Sequence, residues 1–262
     1  MPQKADRTSS SQWFEVLLRC VPLLIGILVW GWLTEGSPGR QFIFSSPSRV
    51  VTALISLLSS GELLRHTGIT TFEAVAGFLL GTTVGVLVGL GLWVLPALAG
   101  ISRPYIVALG SVPVFALAPV MIVWFGIGIF SKVMMAAFST VLVALIQAYQ
   151  GAMSAEERHL RLLQVMGADR RQTFQKVVVP WALIWVVNSM KLNIGFALLG
   201  AFIGEFISSE RGLGHLIIKA SGLYDMATVF AGCMALMVIA GLLSFLVGQF
   251  EKQVLAWRYV RG

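Results

Sequence analysis

Metal or thiol chemistry in this chain of 262 residues would fall to His66, His159, His215, Cys20 and Cys233, and their spacing supports neither. No His-Glu-x-x-His, Cys-x-x-Cys or Gly-x-x-x-x-Gly-Lys-Ser/Thr run is present, so the zinc-hydrolase, redox and nucleotide-binding signatures are all missing. The histidines are scattered along the chain and a shared metal site is not expected. The chemistry that is present is that of a docking surface. Gly151 to Lys176 holds five Lys/Arg and three Asp/Glu in a protein that is only 12% charged. Glu157 precedes Arg161 by one helical turn, the favourable order for an ion pair. His159, Leu162, Leu163 and Met166 follow at 0, 3, 4 and 7, which predicts one apolar face of a short helix. Gly167 supplies a stop, and Asp169 with Gln172 forms a capping box that opens a second helix. Pro180 marks where that helix meets the next apolar segment.

The elements around this cassette must be membrane spans. Hydrophobic residues make up 57% of the chain and mean hydropathy is +0.84, which excludes a water-soluble domain. Apolar runs near 14–34, 68–95, 104–125, 132–150, 180–206 and 227–250 predict about six transmembrane helices, with a tight corner over Leu95–Arg103. The fold class is all-α, in a single domain over 1–262. It comprises an N-terminal span and outer loop (1–45), a core (46–250) containing the cytoplasmic loop 151–179, and a tail (251–262). Trp13, Trp30, Trp32, Trp93, Trp124, Trp181 and Trp257 fall near the span ends, as an interfacial belt requires. Val50–Leu64 reads as an amphipathic helix on the outer surface or a packed connector.

Orientation follows from Lys and Arg. With six spans and both termini inside, the cytoplasmic segments hold twelve: Lys4, Arg7, Arg19, Arg103, Arg158, Arg161, Arg170, Arg171, Lys176, Lys252, Arg258 and Arg261. The outer segments hold six (Arg40, Arg49, Arg65, Lys132, Arg211, Lys219), and Lys191 stands inside the fifth span. Positive charge stays on the cytoplasmic side, so the cassette is expected there with both termini. That topology accounts for the net charge of +7 without nucleic acid. No cleaved signal peptide is expected, because the first apolar run is long and lacks a small-x-small site. Cys20 and Cys233 lie in spans and are expected to be free thiols.

Several residues stand out inside the spans. Gly77, Gly81, Gly85 and Gly89 recur every fourth residue, which predicts a close helix–helix contact, within the protomer or across a dimer. Lys191, with Asn188 and Asn193 nearby, costs about 2.5–3.5 kcal/mol to insert and must face protein or water. It either attracts an anion in a solute route or pins the fifth span to a neighbour. Glu205 either pairs with Arg211 or Lys219 or serves as a gate, and Glu73 is expected beside Arg65 or His66. Pro113 and Pro119 break the third span, which offers Ser111, Phe115 and Met121 to a solute route or merely bends the helix to fit.

The cassette resembles the cytoplasmic loop of permease subunits of binding-protein-dependent ATP-binding-cassette (ABC) importers. Gly167 followed by Val177-Val178-Val179-Pro180 matches that loop in spacing, whereas Arg161-Leu162-Leu163 stand where the family has Glu-Ala-Ala. Pro47-Ser48-Arg49-Val50-Val51, Ser111-Val112-Pro113 with Trp124-Phe125-Gly126-Ile127-Gly128, and Gly204-Glu205-Phe206-Ile207 with Gly212-Leu213-Gly214 are similar to the nitrate/sulfonate/taurine branch. The resemblance implies a type I importer permease in a bacterial cytoplasmic membrane, moving a small anionic or heterocyclic solute inward by alternating access. It implies partners as well: a second copy of this chain, two copies of a cytosolic ATPase that uses ATP and Mg, and a periplasmic or lipid-anchored solute-binding protein. The chain itself would bind no cofactor and catalyse nothing. Glu157, Arg158, Arg161, Leu162, Leu163, Gly167, Ala168, Asp169 and Pro180 would couple to the ATPase. Ser111, Phe115, Met121, Lys191, Asn193 and Glu205 would flank the solute path. The competing class is an ion-coupled secondary transporter, which calls for internal symmetry and several intramembrane acids; apart from Glu15 at the edge of the first span, Glu73 and Glu205 are the acids in the predicted spans, and no repeat is visible.

Overall fold

The computed structural model describes residues 9–256, its account of side chains beginning at Val21 and leaving out Leu23. Lys4, Arg7, Trp257, Arg258 and Arg261 lie outside the described residues, as do the side chains of Trp13, Arg19 and Cys20. All regular structure among the described residues is helical. Four helices are long and apolar enough to cross a membrane: α4 (Glu62–Val94), α7 (Ile129–Met153), Arg170–Ile207 and α12 (Met226–Val254). The first predicted span falls on α1 (Ser9–Thr34).

The third predicted span is not one helix. The stretch expected as a corner, Leu95–Arg103, is itself helical, because Pro96 opens α5 (Pro96–Gly110) directly after α4. The chain then breaks at Ser111–Pro113 and continues through a short 3-10 turn into α6 (Ala118–Phe125), the two halves meeting at 92°. Pro113 holds an extended backbone (φ −62°, ψ 126°), has no N–H to continue the helix, and disfavours helical geometry in the residue before it. Pro119, expected to break a helix, sits instead in the first turn of α6, where a missing N–H costs nothing.

The register of packing gives the topology. Gly77 faces Ala136, Gly81 faces Ala137 and Thr140, Gly85 faces Val141 and Ala144, and Gly89 faces Leu145 and Ala148. Residue numbers rise together, so α4 and α7 run parallel, and the bent α5–α6 segment must carry the chain back between them. In the last long element, α9 (Arg170–Thr173) passes through a π turn into α10 (Val179–Ile207). There Gly151 abuts Ala182 while Gly200 abuts Ala136, so α10 is antiparallel to α7. Lys191 of α10 meets Glu251 of α12, and α10's Leu198 and α12's Leu236 line the same surface cleft, so α12 reverses direction again. Trp30 of α1 lies against Phe230 near the start of α12. The start of α1, the end of α12 and the loop after α7 therefore share one side.

Small residues let α4, α7 and α10 pack tightly: Ala74, Ala136, Ala197 and Ala201 are completely buried beside Phe78, Ile194 and Leu198. A Cβ on Gly77 would lie 2.7 Å from the Val133 carbonyl oxygen, and one on Gly85 2.9 Å from the Leu145 nitrogen. The glycine ladder thus serves a contact within the protomer. On the other side, the amphipathic stretch forms α3 (Pro47–Ser59), capped by Ser46; it ends earlier than Leu64 because Gly61, at φ +74°, turns the chain into α4. Its Leu54 and Leu57 pack on the core while Ile55 stays exposed.

Candidate functional site

The charged cassette folds as its spacing demands. α8 (Glu157–Val165) ends at Gly167, whose φ of +77° is left-handed backbone that favours glycine. The Ala168 N–H reaches back to the Leu163 carbonyl at 2.9 Å, closing the turn. The Gln172 N–H then donates to Asp169 Oδ1 at 2.6 Å, and the Asp169 N–H donates to Gln172 Oε1 at 3.1 Å. That reciprocal box starts α9. The π turn at Phe174–Val178 follows because Pro180 lacks an N–H and its ring would collide with the carbonyl four residues back; one widened turn relieves both.

The cassette is anchored to the spans. Arg170 Nη2 donates to the Val94 carbonyl at 2.8 Å, placing a cation on the open C-terminus of α4, and its guanidinium lies 6.0 Å from the centre of the Trp93 ring. Leu160 and Phe174 pack with Trp93 and Leu90 onto Ala152, Val178 and Ala182. The apolar face expected at His159, Leu162, Leu163 and Met166 is divided. His159, Leu160 and Leu163 are half-buried, His159 close to Trp181, whereas Leu162 and Met166 join Val165 in an exposed stripe. Seating Leu160 against Trp93 rotates the helix and turns Leu162 outward. Val165 is 87% exposed and Met166 73%, so nothing among the described residues covers them. Glu157 and Arg161 pair at 2.6 Å, with Arg158 exposed next to them. In solvent such a pair contributes a few tenths of a kcal/mol, about what a helix i,i+4 pair provides.

A second constellation lies at the opposite end of the same helices, where sequence spacing placed nothing in common. Thr70 donates to Glu205 Oε1 at 2.6 Å, and the Gly214 N–H donates to Oε2 at 2.7 Å. The Leu213 N–H reaches Thr70 Oγ1 and the Gly212 N–H reaches His66 Nδ1, both at 2.9 Å. Glu205 therefore holds the backbone turn before α11 (Leu213–Gly222) rather than pairing with Arg211 or Lys219. Glu73 does not sit with Arg65 or His66; it lies beside Glu205 and Lys132. Lys132, expected in an outer loop, is 98% buried in α7 and donates to the carbonyls of Ile127 and Gly128. Nothing in their spacing joined Thr70, His66 and Lys132 to Glu205, because residues far apart in the chain meet only once three helices are packed.

The proposed path residues do not converge. Ser111 and Phe115 are exposed at the α5–α6 break, and Met121 is buried against Met135. Lys191 pairs with Glu251 at 2.6 Å, tying α10 to α12 near the cassette side. Asn193 Nδ2 donates to Thr82 at 2.9 Å within the α4–α10 interface, and Glu205 lies at the far end. Lys191 thus joins two spans through an ion pair, and Lys132 is the more deeply buried cation.

Comparison with known proteins gives concordant matches. Residues 81–256 match the family described as the inner membrane component of binding-protein-dependent transport systems. A riboflavin transport system permease protein of Chloroflexus aurantiacus is 33% identical over 261 residues, covering 97% of this chain and 95% of that one. A putative aliphatic sulfonates transport permease of Bacillus subtilis is 29% identical, covering 90% and 86%. The taurine transport permease of Escherichia coli is 25% identical, covering 94% and 93%. Among solved structures, the inward-facing MetNI methionine ABC transporter superposes with a TM-score of 0.61 over 76% of this chain and 97% of that one; at 18% identity this shows the fold.

Proposed function

Because the chain belongs to the family of inner membrane components of binding-protein-dependent transport systems, as a permease subunit of an ABC importer, we propose that its cassette is where a cytosolic ATPase grips the membrane domain. The observation that carries this is the exposed stripe Leu162–Val165–Met166 on a helix anchored to the spans. Apolar side chains exposed outside a membrane segment ask for a protein partner. Arg158 and Arg161 beside them suit an acidic rim. Motion imposed on α8 passes through Arg170 to α4 and through the continuous Arg170–Ile207 helix to α10, so closure of two ATPase copies would tilt both helices.

The assembly we infer holds two copies of this chain, two ATPases that use ATP and Mg, and an external solute-binding protein. Both termini and residues 151–179 face the cytoplasm, in keeping with the distribution of Lys and Arg. The solute route runs between the copies, past Ser111 and Phe115 at the break in the third span. Met121, Asn193 and Glu205 hold the flanking helices. Relatives named for sulfonates, taurine, riboflavin and formylaminopyrimidine support a small anionic or heterocyclic solute. The test is Val165→Asp with Met166→Asp, expressed with the cognate ATPase and binding protein. The expected result is a membrane-inserted permease that loses ATPase co-purification and solute uptake together. Normal co-purification would show that the ATPase docks elsewhere.

A further inference from the structure

A cavity of about 750 Å³ lies behind α8, between the end of α4, the start of α5 and the end of α7. Its walls carry two guanidinium groups, Arg103 and Arg170, and two aromatic rings, Trp93 and Tyr149, with no carboxylate among the lining residues. On α5 the lining residues Pro96, Ala99, Gly100 and Arg103 follow at 0, 3, 4 and 7, so one helix face is given to the cavity. Ala99 and Gly100 keep that face small, and a Cβ on Gly100 would meet nothing within 4 Å. Arg170 is already oriented by Trp93 and the Val94 carbonyl, which leaves its remaining N–H groups for a ligand.

We propose that this cavity binds the phosphate headgroup of an anionic phospholipid, clamped between Arg103 and Arg170. Guanidinium pairs suit a phosphate because their N–H groups meet two oxygens at once. The source is a lipid because of where the cavity lies: three helices begin or end around it, the depth at which headgroups sit, and basic pockets between spans recognise such lipids. Leu98, Ile101 and Tyr105 on the rest of α5 are exposed and give acyl chains an apolar surface beside it. An acidic loop of the ATPase is the competing occupant, and the experiment below separates the two. A headgroup held here would bridge α5 to the cassette. The proposal rests on the membrane placement of the chain and not on where the ATPase docks.

The experiment uses the complete transporter, reconstituted in nanodiscs of equimolar phosphatidylglycerol and phosphatidylcholine, re-extracted in detergent and examined for retained lipid by native mass spectrometry. Wild-type permease is expected to retain phosphatidylglycerol in preference to phosphatidylcholine. Arg103→Gln should lower that retention about fivefold, the effect of losing one cation near an anionic surface. Gly100→Leu fills the cavity from a position with open space around it and should abolish the preference while leaving a monodisperse complex. It carries the test should Arg103→Gln fail to assemble. Equal retention of both lipids by wild type, or unchanged retention in a folded Gly100→Leu complex, overturns the proposal. So does displacement of the lipid by inorganic phosphate, which would make this a soluble-anion site, or retention only after the ATPase has been stripped from the permease, which would make it a protein contact. Solute uptake does not enter the readout, so failure here is distinguishable from failure of the coupling assignment.

Discussion

Gly81→Ala is the sharpest probe of how the membrane core is held together. The added Cβ would stand 2.9 Å from the Ala137 carbonyl carbon and closer still to the Ala137 oxygen and Thr140 Oγ1, all on α7. Carbon atoms are comfortable at about 3.5–4.0 Å, so the α4 and α7 backbones would have to separate by on the order of 1 Å. That gap propagates, because Gly77, Gly85 and Gly89 make the same approach along the same register. In lipid no hydrophobic drive restores the contact, and the dispersion lost along the seam is lost outright. Overpacking of this kind costs about 1–3 kcal/mol. Gly91→Ala is the matched control: it lies in the same helix, but its Cβ would meet nothing within 4 Å. It should be neutral or slightly stabilising, since alanine exceeds glycine in helix propensity by up to about 1 kcal/mol. Thermal unfolding of the purified permease in detergent, followed by fluorescence-detected size exclusion, should show Gly81→Ala melting several degrees below wild type and Gly91→Ala at or above it. Indistinguishable melting of the two variants would refute the argument that close backbone approach holds α4 to α7.

Three further outcomes are expected. Gly167→Val forces a β-branched residue into a left-handed turn at a cost of roughly 1–2 kcal/mol, and transport should fall while membrane insertion persists; wild-type uptake would remove the turn from the coupling machinery. Glu205→Gln keeps one acceptor but turns an NH2 toward either the Thr70 hydroxyl or the Gly214 N–H, so the variant should melt earlier than Glu73→Gln, whose Oε2 has no hydrogen-bond partner to lose. With single cysteines in a cysteine-free background, an impermeant maleimide should label Ser209→Cys from outside intact cells and Asp169→Cys only after lysis; labelling of Asp169→Cys in intact cells would invert the proposed orientation.

Much of the local structure was legible in the chain itself. The Asp169–Gln172 box, the Gly167 turn and the Glu157–Arg161 pair depend on residues within a few positions of one another, so spacing determines their geometry. Helical class and the long apolar spans follow from hydropathy, because a bilayer accepts few other solutions. The ladder Gly77–Gly89 announced a close contact, but only packing decided that α7 fills it. The 92° bend between α5 and α6 was half visible: Pro113 signalled a break, whereas the direction of the second half is set by where α7 must begin. The polar core was invisible, since Thr70, Lys132 and Glu205 come from three helices and no periodicity links them. Likewise the outward turn of Leu162 and Met166 was settled by Leu160 seating against Trp93, a contact across about 70 residues of chain. Sequence determines what neighbours along the chain can do together; which distant side chains meet depends on how whole helices rotate and slide to bury their faces, and that is decided only in the folded molecule.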